Sequence, residues 1–270
     1  MVYCNKHQKR MGFAMYTMKK REGLVYDTRY PEDCLVDLWL PDTEEPVPLF
    51  VYFHGGGLES GKRTDAQLQE MVTLYGIAVA TADYRMYPKA KFPDYLEDAA
   101  ACIRFMMDYK DARFSAVFTG GSSAGGYISM MLCFAPQFLA AVGLKPTDLA
   151  GYVHDAGQPT VHFNVLRERG MDSRIIRVDE ACPVYYADHT PKADEVPPMI
   201  FFYADKDMPN RPEQTEMFYG TLKHLQYPMD KIHIKRFDGF GHCGYNSAKN
   251  ADGINILAAE SAAFILQYAR

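Results

Sequence analysis

No stretch of this 270-residue sequence is dominated by charge of one sign. Acidic residues number 34 and basic residues 29, the two are well mixed, and the formal net charge is −5. A nucleic-acid footprint would show a basic excess along one stretch, so no nucleic-acid partner is expected. Paired cysteine motifs are also lacking. Cys4, Cys34, Cys102, Cys133, Cys182 and Cys243 are scattered, with no CxxC. That argues against a zinc site and against a dense disulfide scaffold. Most of the six sit beside apolar residues, as buried thiols in a reducing compartment do. No run reaches the roughly 18 apolar residues of a membrane span. The N-terminal MVYCNKHQKRMGFAMYTMKKREG has no apolar core followed by a small-residue cleavage site. The chain as given therefore reads as cytoplasmic, with no membrane partner. Internal repeats and low-complexity tracts are missing too.

What is present is an ordinary globular composition, 48% apolar and 23% charged, enough for a core of normal size. Strand-like and helix-like patterns alternate. Cys34 to Leu40 alternates apolar and polar residues, as a half-exposed strand does. Pro48 to His54, Ile77 to Asp83 and Ala116 to Thr119 are short, mostly apolar runs. Further strands are expected at Leu149 to Val153, Met199 to Tyr203 and Ile232 to Phe237. Asp94 to Tyr109 carries apolar residues at helical spacing, and helices are expected at 212–226 and 249–269. Such alternation implies one α/β domain over 1–270, a mainly parallel sheet with helices on both faces. Ligands bind such sheets beyond the carboxyl ends of the strands. One long, polar, irregular segment, 155–198, interrupts the pattern and is expected to form a lid or substrate loop.

Two glycine motifs stand at expected strand ends. Gly121-Ser122-Ser123-Ala124-Gly125 lies between a strand and a helix-like run. A serine at such a turn is held clear of the sheet in a strained backbone, and the helix that follows favours developing negative charge. Chance would supply G-x-S-x-G in about one chain in ten of this size, so the context carries the weight. The glycines make Ser123, not Ser122, the central residue. His54-Gly55-Gly56-Gly57 ends an earlier strand. Its N–H groups can approach a ligand closely and bind an oxyanion.

Serine needs a base to take its proton. His242, in a glycine-flanked loop past the strand ending near Phe237, is the candidate. His54 is expected to hold the glycine loop, and His154 and His162 border the irregular segment, within reach of substrate. His7, His189, His224 and His233 read as structural or solvated. The base needs an orienting acid. Asp207 is preferred over Asp205, both just past the strand MIFFY, because it sits far enough into the turn to aim at the next loop. Asp205 stays open, and Asp238 is a third candidate.

These residues resemble the α/β-hydrolase superfamily, and more narrowly the esterases related to hormone-sensitive lipase and to bacterial acetyl and feruloyl esterases. The likeness rests on His54 to Gly57, on Asp83-Tyr84-Arg85 with Pro88 and Phe92-Pro93, on Gly121 to Gly126, and on Gly241-His242. It spans about residues 35 to 245. The resemblance implies an eight-stranded sheet, Ser123 as nucleophile, His242 as base and Asp207 as orienting acid. It also implies an oxyanion hole from the N–H groups of Gly55, Gly56 and Ala124, with no metal and no cofactor. Ala204 stands where the family usually has glycine, and Met208-Pro209 where it has an apolar residue soon after the acid. The short N-terminal stretch leaves no room for a two-helix cap, so any lid is expected from 155–198.

The expected substrate is a small-molecule ester with a short acyl group, of acetyl or feruloyl type on a carbohydrate. Gln158 and His162 are expected to bind it, because polar and aromatic residues crowd the irregular segment. Amide cleavage by an arylformamidase or peptidase is the alternative within the same scaffold. A homodimer through an exposed sheet edge is a further, open expectation.

Overall fold

A computed structural model describes residues 15–189 and 191–269. Cys4 and His7 lie outside the described residues. Eight strands form: β1 (Met18–Val25), β2 (Leu35–Pro41), β3 (Val47–Phe53), β4 (Ala78–Ala82), β5 (Phe114–Ser122), β6 (Gly151–Asp155), β7 (Met199–Lys206) and β8 (Ile232–Gly241). They make one sheet in the order β1-β2-β4-β3-β5-β6-β7-β8. β2 is antiparallel to both its neighbours, and every pair from β4 through to β8 is parallel. All seven strands expected from the sequence are there, and β1 is additional.

The helices are α1 (Gln69–Tyr75), α2 (Asp94–Met107), α3 (Ala124–Phe134), α4 (Gln137–Ala140), α5 (Phe163–Glu168), α6 (Pro183–Tyr186), α7 (Arg211–His224) and α8 (Ile256–Tyr268). Successive side chains of a strand point to opposite faces, and β3 shows the result. Leu49, Val51 and Phe53 join a core with Ile103 of α2, Ile128 of α3 and Phe218 of α7. Phe50 and Tyr52 join a second core with Met71 of α1 and Leu257 and Phe264 of α8. Both faces of the sheet are thus covered, which is why β4 reads Ala-Val-Ala-Thr-Ala and is buried throughout.

One helix boundary differs from expectation. The last helix starts at Ile256, not near 249. Asn255 accepts the Ala258 N–H at 2.9 Å and caps it. The residues before it turn back through a bridge between Lys249 and Asn255.

The 155–198 segment contains α5, α6 and a 3-10 turn at Ala193–Glu195. Val161, Val165, Leu166, Ala181 and Cys182 from it are buried in the same core as α2 and α3. Its charged residues mostly satisfy one another: Asp179 takes both Arg169 at 2.7 Å and Arg177 at 2.6 Å. Among the described cysteines, Cys34, Cys102, Cys133 and Cys182 are buried free thiols and Cys243 is half-buried. Among the described residues no helix is long and apolar enough to cross a membrane.

Candidate active site

β5 gives way to α3 within one residue. Ser123 sits between them at φ 56°, ψ −110°, a conformation that costs a non-glycine residue energy. The flanking glycines make the turn sterically feasible. A Cβ on Gly125 would lie 1.9 Å from the Phe53 carbonyl oxygen, and one on Gly121 would lie 2.4 Å from that same atom. A Cβ on Gly126 would fall 2.4 Å from the Asp155 carbonyl. The start of α3 is therefore wedged between the ends of β3 and β6, where no side chain fits. Ala124 is the first residue of α3, so its N–H has no acceptor within the helix.

Ser123 Oγ lies 2.8 Å from His242 Nε2, and His242 Nδ1 lies 2.5 Å from Asp207 Oδ1. A carboxylate only accepts, so Nδ1 carries the proton and Nε2 is left to accept from the serine hydroxyl. That is the tautomer a general base needs. The Asp207 side chain is wholly enclosed and also accepts the Met208 N–H at 2.6 Å. The competing acids are engaged elsewhere. Asp205 Oδ1 accepts the Gly239 N–H of β8 at 2.7 Å, and Asp238 pairs with Arg236 at 2.8 Å. Of the three candidates, the structure brings Asp207 to His242.

The 54–57 loop passes directly over the serine. A Cβ on Gly55 would stand 3.3 Å from Ser123 Cβ and 3.1 Å from the Ser122 carbonyl. Gly56 has φ +110°, and a Cβ there would fall 2.0 Å from the Ser60 carbonyl. His54 holds the base of this loop. Its Nδ1 donates to the Gly55 carbonyl at 2.6 Å, and its ring stacks on Tyr84, centroids 4.5 Å apart. Burial pushes its pKa below the usual value, which suits a neutral structural imidazole.

A cavity of about 530 Å³ opens beside Ser123. Gly55, Gly56, His242 and Cys243 line it together with residues 65–68, Asn246 and Leu257. None of the described residues of 155–198 lines it. That segment instead braces the glycine loop from outside. Asn164 Nδ2 donates to the Gly57 carbonyl at 2.8 Å and to Glu59 at 3.1 Å, and Arg167 pairs with Glu59 at 2.7 Å.

Gln158 and His162 are not brought to the cavity. Gln158 is buried and fully used: it donates to Thr160 and the Val161 carbonyl, and accepts from Phe163 N–H and Arg211. His162 is buried with its Nδ1 accepting the Asn164 N–H at 3.2 Å. Burial first, and then the nearby charges of Arg211, Arg167 and His242, hold its pKa well below the usual histidine range. His154 is also remote. It packs on Phe201, bonds Ser129 Oγ at 2.9 Å, and burial pushes its pKa down to about 3.

Sequence reasoning missed two parts of the site. One is the 60–68 wall, whose residues carry no motif. The other is a buried polar cluster behind the serine, made by Tyr52, Ser122, Asp155, Tyr245 and Asn246.

A model of the α/β-hydrolase fold matches residues 50–156. Over the whole chain, a truncated carbohydrate esterase from gut microbiota superposes with a TM-score of 0.74. That superposition covers 95% of this chain and 98% of the other, at 14% identity. This chain has the α/β-hydrolase fold. Curated relatives match over shorter stretches. The carboxylic ester hydrolase LipN of Mycobacterium tuberculosis is 35% identical over 93 residues, covering 32% of this chain and 25% of LipN. The gibberellin receptor GID1C of Arabidopsis thaliana is 29% identical over 104 residues, covering 35% of this chain and 30% of the receptor. The matched stretches thus span only about a quarter to a third of those relatives' length.

Proposed function

We propose that the chain is a serine carboxylesterase that cleaves short-acyl esters through an acyl-enzyme. One observation carries this reading: Ser123, His242 and Asp207 form an unbroken hydrogen-bonded chain, at 2.8 and 2.5 Å, on a strained elbow beside an open cavity. In this mechanism His242 Nε2 takes the hydroxyl proton as Ser123 Oγ attacks the ester carbonyl. Asp207 holds the imidazole in the correct tautomer and stabilises its positive form. The N–H groups of Gly55, Gly56 and Ala124 receive the oxyanion, a contribution typically of several kcal/mol. His242 then protonates the leaving alcohol. Water enters, gives its proton to His242, and attacks the acyl-enzyme to release the acid and free Ser123.

The cavity supports a compact, hydroxylated ligand. Tyr52, Ser60, Asp65, Gln67 and Asn246 alternate along it with Ala66, Leu68 and Leu257, whereas a long fatty acyl chain calls for an apolar tunnel. An acetylated or feruloylated sugar fits that lining. The fold-level likeness to a carbohydrate esterase agrees with this. A small-molecule binding role is the second reading, favoured by the likeness to a gibberellin receptor.

The test is hydrolysis of p-nitrophenyl acetate, an acetylated sugar and an N-formyl aryl amide by wild type and Ser123→Ala. The expected result is ester turnover that the substitution abolishes, faster than amide turnover and declining from acetyl to lauroyl chains. Ester hydrolysis undiminished in Ser123→Ala, or none in wild type, would refute the reading.

A further inference from the structure

Asp155 is a fully buried carboxylate that the triad does not use. It ends β6, next to the strand that ends at Ser122. Its main-chain carbonyl accepts the N–H of Ser123 at 2.8 Å. Its side chain accepts from three others. The Ser122 hydroxyl and the Tyr245 hydroxyl donate one to each oxygen, and Asn246 Nδ2 donates at 2.8 Å. Asn246 Nδ2 also reaches Ser122 Oγ at 2.8 Å, and the Tyr52 hydroxyl donates to that same oxygen at 2.9 Å. Every hydrogen bond in the cluster therefore points toward the carboxylate, the arrangement that favours its charged form.

The donors come from two places that catalysis must hold together. Ser122 precedes the nucleophile, while Tyr245 and Asn246 follow His242 on the same loop. Asn246 is anchored in turn by Asn255, whose Nδ2 donates to the Asn246 carbonyl at 2.6 Å at the start of α8. We propose that Asp155 is a positioning residue: its carboxylate and carbonyl tie the Ser123 strand end to the His242 loop. The inference rests on Ser123 and His242 acting as nucleophile and base.

Tyr52, Cys243 and Tyr245 are held neutral, because burial pushes each of their pKa values up. Arg211 donates to the carbonyl of the next residue, Ala156, at 2.6 Å. Phe202 of β7 is apolar. Burial raises the carboxyl pKa of Asp155, while the three donors and the charge of His242 pull it back.

The test is the rate of fluorophosphonate labelling of Ser123, measured on the intact chain beside p-nitrophenyl acetate kinetics. Asp155→Asn keeps the shape and removes the charge. Its labelling rate and kcat should each fall about tenfold or more with KM little changed. A folded Asp155→Asn with the wild-type rate, or with its loss in KM and not in kcat, overturns the proposal. Should Asp155→Asn fail to fold, Tyr245→Phe cuts the tie to the loop and keeps the charge. It should slow labelling several-fold, and wild-type labelling in that variant overturns the proposal. If wild type is labelled but hydrolyses no ester, the esterase reading fails while this test still stands.

Discussion

Replacing Asp207 by asparagine should cripple the site, and replacing Asp205 should not. The Asp207 side chain is enclosed, with Oδ1 2.5 Å from His242 Nδ1 and 2.6 Å from the Met208 N–H. The Met208 N–H favours an acceptor at that position. An asparagine can supply one through its amide oxygen, but it brings no charge to stabilise the imidazolium. Where its NH2 turns to the ring instead, Nδ1 must accept, the ring proton moves to Nε2, and Ser123 loses its base. The loss expected for a wrong tautomer is about 10³- to 10⁴-fold in kcat, or about 4–5.5 kcal/mol of barrier. Asp205→Asn keeps an oxygen able to accept the Gly239 N–H. That substitution should change kcat by less than about threefold, as a surface change away from the reacting atoms does. The assay is steady-state hydrolysis of p-nitrophenyl acetate at saturating substrate, with circular dichroism to confirm folding. Near-normal turnover in Asp207→Asn, or a collapse confined to Asp205→Asn, would refute the assignment of the acid.

Gly125→Ala places a methyl 1.9 Å from the Phe53 carbonyl, backbone that cannot move aside cheaply. It should destabilise the fold by about 3 kcal/mol or more, visible as a lowered Tm, and unchanged melting would contradict the packing described. Stability should also fall with acid because of His154, whose pKa burial holds down to about 3. The unfolded chain binds that proton below about pH 6.5 and the folded chain does not until about pH 3. Stability from this group is therefore complete above pH 6.5 and is lost steadily as pH falls toward 3. Urea unfolding across that range should show the slope, and His154→Phe should flatten it.

Much of the site was legible because its residues sit at strand ends in marked contexts. Ser123 stood out through glycines that the packing of α3 against β3 and β6 demands. His242 and Asp207 stood out because strand-end loops carried few other candidates. The choice between Asp207 and Asp205 turned on where a short turn aims each carboxylate, which only coordinates reveal. β1 was invisible because Met-Lys-Lys-Arg-Glu-Gly-Leu-Val is a mostly exposed edge strand, held by pairing with β2 rather than by an apolar pattern. Gln158 and His162 looked like ligand groups, but the polar residues of 155–198 mostly bond each other and the glycine loop. Asp155 escaped notice because its partners Tyr52, Tyr245 and Asn246 lie about a hundred residues away along the chain.

The central claim is that Ser123 is an activated nucleophile, and covalent capture tests it most directly. Intact wild-type protein treated with a fluorophosphonate, digested and mapped by mass spectrometry should carry one adduct, on Ser123, and His242→Ala should abolish it. An unlabelled wild type, or an adduct on Ser122 in place of Ser123, would contradict the account.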